Sequence, residues 1–480
     1  MVKRIQCVLK RVLTATCFVL IPALGHSATY YASTTGSDNN TCTQAQNSST
    51  PKRTINATLN CLGTAAGAGA GHTVQVAPGT YNETIYYNLP GGTSWSAPFT
   101  LKATAIGTVT LRPPVGAESC ITIARPTSKY AIISGFVCDG VNVSYDGIKI
   151  TDSSSGAASF IRLQNIEVKN AKRQGIFVIR STDNQLLRLT VHDNGRADNL
   201  DNGIYIGEAA HRTLIADSLF YNNHAYGIHL YSSTTLPDGC IVRNNRVSTN
   251  GTGGLVLWAT NTLAYNNLVY NNHTAAGNLL GSPKSGIRVG SAANGVKLYN
   301  NTVYGQKATS DDIGIEVASG ALNTMVKNNI AYNNARGIAN SGTGTTLAAN
   351  LTTDPKFVNA TAANFTLQAG SPAIDAGVTL SAVPNDYARV SRPQGPAYDI
   401  GGYEFVSASA VFDFALANGG SQSVTQGASA INTITATLLS GSAQAVSFSA
   451  SGLPTGATAA FSPMTCSPGC STTLTLTTTP

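Results

Sequence analysis

The sequence predicts an all-β chain: a parallel β-helix, that is a solenoid of stacked coils with an N-terminal cap, followed by a small β-sandwich module. Three observations carry this. A motif of Gly, aliphatic, any residue, aliphatic begins at Gly147, Gly175, Gly203, Gly227, Gly254, Gly286, Gly314 and Gly337, the last copy losing its second aliphatic. Its steps of 28, 28, 24, 27, 32, 28 and 23 residues fall in the range of repeat architectures, whose single unit cannot bury its apolar face without a stacked neighbour. Asn pairs recur beside it, at Asn244–Asn245, Asn266–Asn267, Asn300–Asn301 and Asn328–Asn329. Helical periodicity is nearly confined to one short piece around Ile55, Leu59 and Leu62.

Taken from the N-terminus, residues 1–28 read as a signal peptide. Lys3, Arg4, Lys10 and Arg11 precede an apolar run, Val12 to Leu24, which is shorter than the about 20 residues a membrane span needs. The expected location is therefore secreted or at the cell surface, with no transmembrane segment. The formal net charge of +7 falls to +3 without residues 1–28, which carry four basic residues and no acidic one. A nearly neutral chain lacks the basic footprint of a nucleic-acid binder. Of the seven remaining cysteines, local pairing suggests Cys42–Cys61, Cys120–Cys138 and Cys466–Cys470, though other connectivities are open to the sequence. Cys240 is left over and reads as a small buried hydrophobe.

Residues 29–405 form the predicted solenoid with its caps. The helix-like piece near Ile55 closes the first coil, protecting apolar surface and an open strand edge. Strand-like runs follow at Thr73–Ala77, Phe99–Ala103, Val109–Leu111, Ile121–Ala124 and Tyr130–Ile133. The repeat core spans about residues 140–350, each coil carrying the Gly-aliphatic strand and a second strand near an Asn pair. Asn tolerates left-handed geometry at tight turns, and stacked amides can hydrogen-bond along the axis.

The opening coil Val74-Gln75-Val76-Ala77-Pro78-Gly79-Thr80-Tyr81-Asn82-Glu83-Thr84-Ile85 and the coil Leu298-Tyr299-Asn300-Asn301-Thr302-Val303-Tyr304 resemble the right-handed parallel β-helix superfamily. That superfamily holds pectate, alginate and chondroitin lyases, polygalacturonases and mannuronan epimerases. The resemblance covers roughly residues 30–405 and implies the right hand of the helix. Residues 354–405, with Ser371-Pro372-Ala373-Ile374-Asp375-Ala376-Gly377 and Asp399-Ile400-Gly401-Gly402-Tyr403-Glu404, resemble the closing segment of exported bacterial β-helix proteins. Asp375, Asp386, Arg392, Asp399 and Glu404 there read as structural, through paired charges and turns.

Residues 406–480 shift to Ala, Ser and Thr, with alternating runs at Ser421–Thr425, Ile431–Leu439 and Ala445–Ala450. Leu453-Pro454-Thr455-Gly456-Ala457 resembles exported bacterial immunoglobulin-like modules. About 70 residues is short for that fold, so an incomplete module is expected.

The repeat aligns the chain against itself and so predicts an outer wall. The residue between the two aliphatics faces outward, because side chains alternate along a strand. This gives the column Lys149, Phe177, Tyr205, His229, Val256, Arg288, Glu316 and Ala339, flanked by Asp146, Asp201, Asn202, Tyr226, Tyr231, Trp258, Lys284 and Asp312. Aromatic rings can stack on sugars and cations can pair with uronate carboxylates, so Lys149, Asn202, Tyr231, Trp258 and Glu316 are candidate substrate contacts. The loop ahead of Gly203 holds Asp198 and Asp201, whose oxygens suit Ca²⁺. Uronate lyases of the resembled superfamily use calcium to neutralise the substrate carboxylate, and a Lys or Arg as base. Lys284 and Arg288 are candidates for that base but stand about three coils, about 14 Å, from Asp201. Tyr205 and His229 lie closer, as a candidate acid and base.

The Gly-His-Gly and Arg-Ile-Lys motifs of polygalacturonases and the Asp-Pro-His-Asp signature of mannuronan epimerases are missing. No paired-Asp cluster marks a glycosidase, so elimination is favoured over hydrolysis. The expectation is a secreted polysaccharide-active protein, a Ca²⁺-assisted lyase of acidic, uronate-containing polysaccharide. The alternative is a non-catalytic surface or adhesive glycan-binding protein. A monomer is expected in either case.

Overall fold

The computed structural model describes residues 27–196, 201–274, 284–407 and 412–480. The predicted signal peptide lies almost wholly outside these residues. Among them, no helix is long and apolar enough to cross a membrane. The chain forms two compact units, one up to Phe405 and one from Val406.

The first unit is a stack of coils with three strands each, not the two that the repeat suggested. In one coil these are Ile204–Gly207, Leu214–Ala216 and Leu219–Tyr221. Stacking gives three parallel sheets, which among the described residues have ten, twelve and ten strands. They are named here the glycine sheet, the middle sheet and the return sheet.

The alignment read from the motif is the observed register of the glycine sheet. Lys149 pairs with Phe177, Phe177 with Tyr205, Tyr205 with His229, His229 with Val256, Val256 with Arg288, Arg288 with Glu316 and Glu316 with Ala339. The motif glycine recurs because the backbone of the next coil passes too close for a side chain. A Cβ on Gly175 would lie 2.6 Å from the Gly203 carbonyl oxygen, and one on Gly254 2.5 Å from that of Gly286. The flanking aliphatics, such as Ile204, Ile206, Ile228 and Leu230, are fully buried, each contributing about 1.5–3 kcal/mol.

Each Asn pair divides two tasks. The first residue takes the left-handed turn, with φ of 54°, 52°, 51° and 56° at Asn244, Asn266, Asn300 and Asn328. The second joins a buried amide ladder. Asn245 Nδ2 donates to Asn267 at 3.0 Å, Asn267 to Asn301 at 2.9 Å, Asn301 to Asn329 at 3.0 Å and Asn329 to Asn350 at 3.0 Å. A second ladder, Asn194–Asn223–Asn250–Asn272, lines the corner between the return and glycine sheets.

The N-terminal helix is Ile55–Leu59, capped by Thr54, whose side chain accepts from Ala57 N. Glu83 holds its first turn, accepting from Ile55 N at 2.8 Å and Asn56 N at 2.9 Å. Disulfides join Cys42–Cys61, Cys120–Cys138 and Cys466–Cys470, and Cys240 is free and buried, its thiol pushed up to about 12 by burial.

The segment expected to close the solenoid lies along its side instead. Its backbone docks on the turn residues of successive Asn pairs: Asn244 Nδ2 donates to Tyr387 O at 3.2 Å, Asn266 to Asn385 O at 2.8 Å, Asn300 to Asp399 O at 2.9 Å and Asn328 to Val378 O at 2.8 Å. Arg389 pairs with Asp217 one coil earlier. Phe357, Phe365, Leu367 and Ile400 cover the outer face of the return sheet over Leu268, Ile330 and Tyr304. Arg392 and Glu404 form a fully buried ion pair within this strap. Burial pushes the Asp399 carboxyl up to about 6.

The second unit is antiparallel. Asp413–Asn418, Ser429–Ser440, Cys470–Thr478 and Ala457–Ser462 make one sheet in that order, and Val446–Ser447 pairs with Thr465–Cys466. Residues 421–425, expected as a strand, are not one. The preceding strand turns at Gly419–Gly420, where Asn432 clamps the backbone by accepting from Gly419 N and donating to Gly420 O.

Candidate functional site

The outward column of the glycine sheet carries a continuous run of rings along the solenoid axis. Phe177 stacks on Tyr205 at 5.3 Å between centroids, Tyr205 meets His229 edge-on at 5.5 Å, His229 stacks on Tyr231 at 5.4 Å and Tyr231 meets Trp258 at 4.8 Å. Lys149 Nζ sits 5.7 Å above Phe177. Phe177, Tyr205, Tyr231 and Trp258 are half-buried. Val256, expected outward, is buried beneath Tyr226 and Trp258. Trp258 lies flat over Gly290, where a Cβ would come within 1.3 Å of the indole.

His229 is only 6 % exposed, and burial pushes its pKa down to about 3. Among the described residues its buried Nδ1 has no hydrogen-bond partner. Burial also pushes the Tyr205 hydroxyl up to about 12. The two expected acid–base partners therefore meet as packed rings. Near neutrality His229 does not take up a proton and Tyr205 does not release one.

The other sequence candidates are distributed as follows. Arg288 and Glu316 are one ion pair at 3.3 Å, and Glu316 also accepts from Ser285 Oγ at 2.6 Å. Lys284 is half-buried on the same coil. Asn202 is not an outward substrate contact: it is fully buried, donating to Gln174 Oε1 from its backbone N at 2.7 Å and its Nδ2 at 3.0 Å. Asp198 lies outside the described residues. Asp201 is fully buried, with Oδ1 3.8 Å from Arg173 Nε. Among the described residues no group of three or more metal-type side chains converges. Asp201 thus faces a guanidinium, and the rest of the loop expected to hold calcium, Asp198 included, lies outside the described residues.

A cleft of about 340 Å³ opens at the Lys149 end of the ring track, lined by Glu118, Tyr145, Asp146, Lys149, Arg173 and Phe177. Asp146 is its central group. The carboxylate is 6 % exposed and accepts from Gln174 N at 3.2 Å. Burial pushes its pKa up to about 6, and the Asp201 charge adds to this, while the Gln174 N–H, Lys149 and Arg173 oppose it. Gln174 is fixed in turn by Asn202, whose Oδ1 accepts from Tyr226 N at 3.2 Å. A buried polar ladder thus holds Asp146 in place.

Glu118, Tyr145 and Arg173 were missed by sequence reasoning. With Asp201 they stand two residues ahead of the motif position on successive coils, and backbone bonds from Tyr145 N to Glu118 O and Arg173 N to Tyr145 O confirm the stacking. Carrying the repeat alignment two residues further back would have found them. The cleft also brings two carboxyls, Glu118 and Asp146, together where no pair showed in the sequence.

Two overlapping stretches, residues 128–303 and 190–363, match the family described as "Right handed beta helix region". No curated protein sequence matches the chain. Among solved structures, pectate lyase Pel9A is similar at 17 % identity, over 79 % of this chain and 96 % of that one, with a TM-score of 0.47. The A-module of the mannuronan C-5 epimerase AlgE4 from Azotobacter vinelandii is similar at 14 % identity, over 60 % and 90 %, with a TM-score of 0.41. A glycoside hydrolase is similar at 9 % identity, over 72 % and 99 %, with a TM-score of 0.48. The family match across residues 128–363 and the three parallel sheets, which begin ahead of it at Thr29 and end within it at Ala348, show that this chain has the right-handed parallel β-helix fold.

Proposed function

We propose that this is a secreted protein that binds an acidic, uronate-containing polysaccharide along the ring track and cleaves it by elimination in the Asp146 cleft. The observation that carries the reading is Asp146, a buried carboxyl at about 6, set beside Lys149 and Arg173 at the head of that track. Sugar faces stack on Phe177, Tyr205, Tyr231 and Trp258. A uronate carboxylate pairs with Arg173 and Lys149, whose charges stabilise the negative charge that develops when the neighbouring proton leaves. Above pH about 6 Asp146 is a carboxylate of raised basicity, suited to take that proton from C5. The electron pair forms the C4–C5 double bond, the C4–O bond breaks, and the leaving oxygen takes a proton from the Tyr145 hydroxyl or water. The positive charge that calcium was expected to supply comes from Arg173 and Lys149, and no step runs through a metal.

One observation favours a second reading. Glu118 shares the cleft with Asp146, and two carboxyls flanking one bond are what glycoside hydrolysis needs. Mature protein is incubated with pectate, alginate and chondroitin, with and without EDTA, and both ultraviolet absorbance of unsaturated sugar and reducing ends are followed. Absorbance that persists in EDTA and is lost in Asp146→Asn supports elimination. Reducing ends without absorbance mean hydrolysis. Activity abolished by EDTA restores calcium, and binding without any product leaves the non-catalytic glycan-binding alternative.

A further inference from the structure

A second cluster of rings stands on a different face, outside the middle sheet. Trp95 meets Tyr130 edge-on at 5.5 Å, and Tyr130 stacks on Phe160 from the next coil at 4.7 Å. All three rings are half-buried. Tyr130 and Phe160 occupy left-handed backbone positions, with φ of 51° and 54°, which bulky side chains adopt only under constraint. The loop that carries Trp95 is clamped onto the coil. Gly92 N donates to Lys129 O at 2.8 Å, Ser128 Oγ donates to Leu89 O at 2.6 Å, and Gly91 is so close to the backbone that a Cβ would lie 1.9 Å from Thr127 O. Trp95 sits in a tight turn closed from Ala97 N to Ser94 O at 3.1 Å.

One guanidinium borders these rings, and a second lies further along the same strands. The Arg162 guanidinium lies 4.5 Å over Trp95 and donates to Gln185 Oε1 at 2.8 Å. Arg188, exposed, donates to Asn165 Oδ1 at 2.7 Å and Gln164 Oε1 at 3.4 Å. Among the described residues, both are thus partnered by neutral amides. Elsewhere on the same unit Arg112, Arg180 and Arg212 each pair with an Asp carboxylate. Arg188 thus lies against the strand that carries Arg162, two residues further along it, and burial followed by the Arg188 charge lowers the Arg162 pKa.

We propose that Trp95, Tyr130, Phe160, Arg162 and Arg188 form a second carbohydrate-binding site, separate from the glycine-sheet cleft, that takes an anionic sugar unit with its ring on the aromatic platform and its carboxylate or sulfate on the guanidinium pair. Rigid aromatics offer stacking area with little entropy loss, and planar guanidiniums match the geometry of either anion. The site stands on its own observations and holds whether or not the cleft is catalytic. Such a site keeps a long polymer on the protein while one stretch of it occupies the other face, so it raises affinity for polymers above that for short chains.

Affinity electrophoresis of the full chain through gels of pectate, chondroitin sulfate or dextran tests this. Wild type is compared with Trp95→Ala, Arg162→Gln, Arg188→Gln and the cleft double variant Lys149→Gln/Arg173→Gln. Retardation by pectate or chondroitin sulfate but not dextran is expected. It weakens about tenfold in Trp95→Ala and Arg162→Gln and persists in the cleft double variant. Pectate against chondroitin sulfate tells carboxylate from sulfate recognition. If Trp95→Ala loses its circular dichroism spectrum, Arg188→Gln, altered only at an exposed side chain, carries the comparison. The proposal is overturned if wild type is retarded by neither polyanion, or if folded platform variants migrate as wild type does. It also fails if the cleft double variant alone removes all binding.

Discussion

Replacing Asp146 by Asn separates the cost of the cleft from its use. Moving a carboxyl from 3.8 to about 6 costs the folded state about 3 kcal/mol once the group is ionised. The folded chain holds the proton more tightly than the unfolded one. Wild-type stability therefore falls as pH rises from about 4 to about 6, and the full penalty applies above that range. An amide at this position still accepts from Gln174 N through its oxygen but carries no charge to desolvate. Asp399 is also raised to about 6, but it is common to both proteins and cancels in the comparison. Urea unfolding of wild type and Asp146→Asn at about pH 4 and about pH 8 gives the measurement. The variant should gain about 2–3 kcal/mol on wild type between the two conditions. It should also lose product formation, and the wild-type rate should show a rising limb near pH 6. A stability difference that does not change with pH would refute both the burial argument and the assignment of Asp146 as the base.

Two further outcomes follow from the site and the fold. His229, at about 3, must stay neutral when folded, so wild-type stability falls as pH drops below about 6.5, where the unfolded chain takes up a proton that the folded chain refuses. His229→Phe keeps the ring contacts and should make thermal melts less acid-sensitive, with activity within about threefold of wild type; a hundredfold loss would return His229 to the chemistry. Asn267→Ala strands the buried Asn245 donors and removes the bonds to Val242 O and Asn301, which should lower stability by about 3–5 kcal/mol in urea titrations, whereas a change under about 1 kcal/mol would mean the amide ladder contributes little.

The register was readable because it rests on a steric demand that only one residue type meets. Gly175 and Gly254 sit where the next coil leaves no room for a Cβ, so the motif marks the stacking position in each coil. The third strand was not readable for an equally local reason. Leu214–Ala216 and Leu219–Tyr221 are separated by two residues, and the corner is made by Asp217 at φ 59°, so the sequence reads as one apolar run across a bend. In the site, strand alternation correctly placed His229 outside the core but could not show that Tyr205, Tyr226 and Tyr231 would close over it. Asn202 was misassigned because a polar residue ahead of a strand is as easily a ladder rung as a ligand contact. Arg173 escaped because the alignment was not carried two residues ahead of the motif glycine on its coil, and Glu118 because Cys120 stands where its coil would carry that glycine.

The strap changes what kind of object the solenoid is. Stacked coils joined only to their neighbours can peel from one end, each step costing one interface. Here a single segment grips Asp217, Asn244, Asn266, Asn300 and Asn328, so those coils are laced together from outside. Peeling the last of them requires the lacing to come off the rest, which makes this stretch one mechanical block. The lacing also acts as a ruler. A coil inserted or deleted between residues 217 and 328 would throw every later grip out of step by about 4.8 Å, while among the described residues the strap grips no earlier coil. Lengthening or shortening of this protein, by design or by descent, is therefore confined to the part of the stack that holds the cleft.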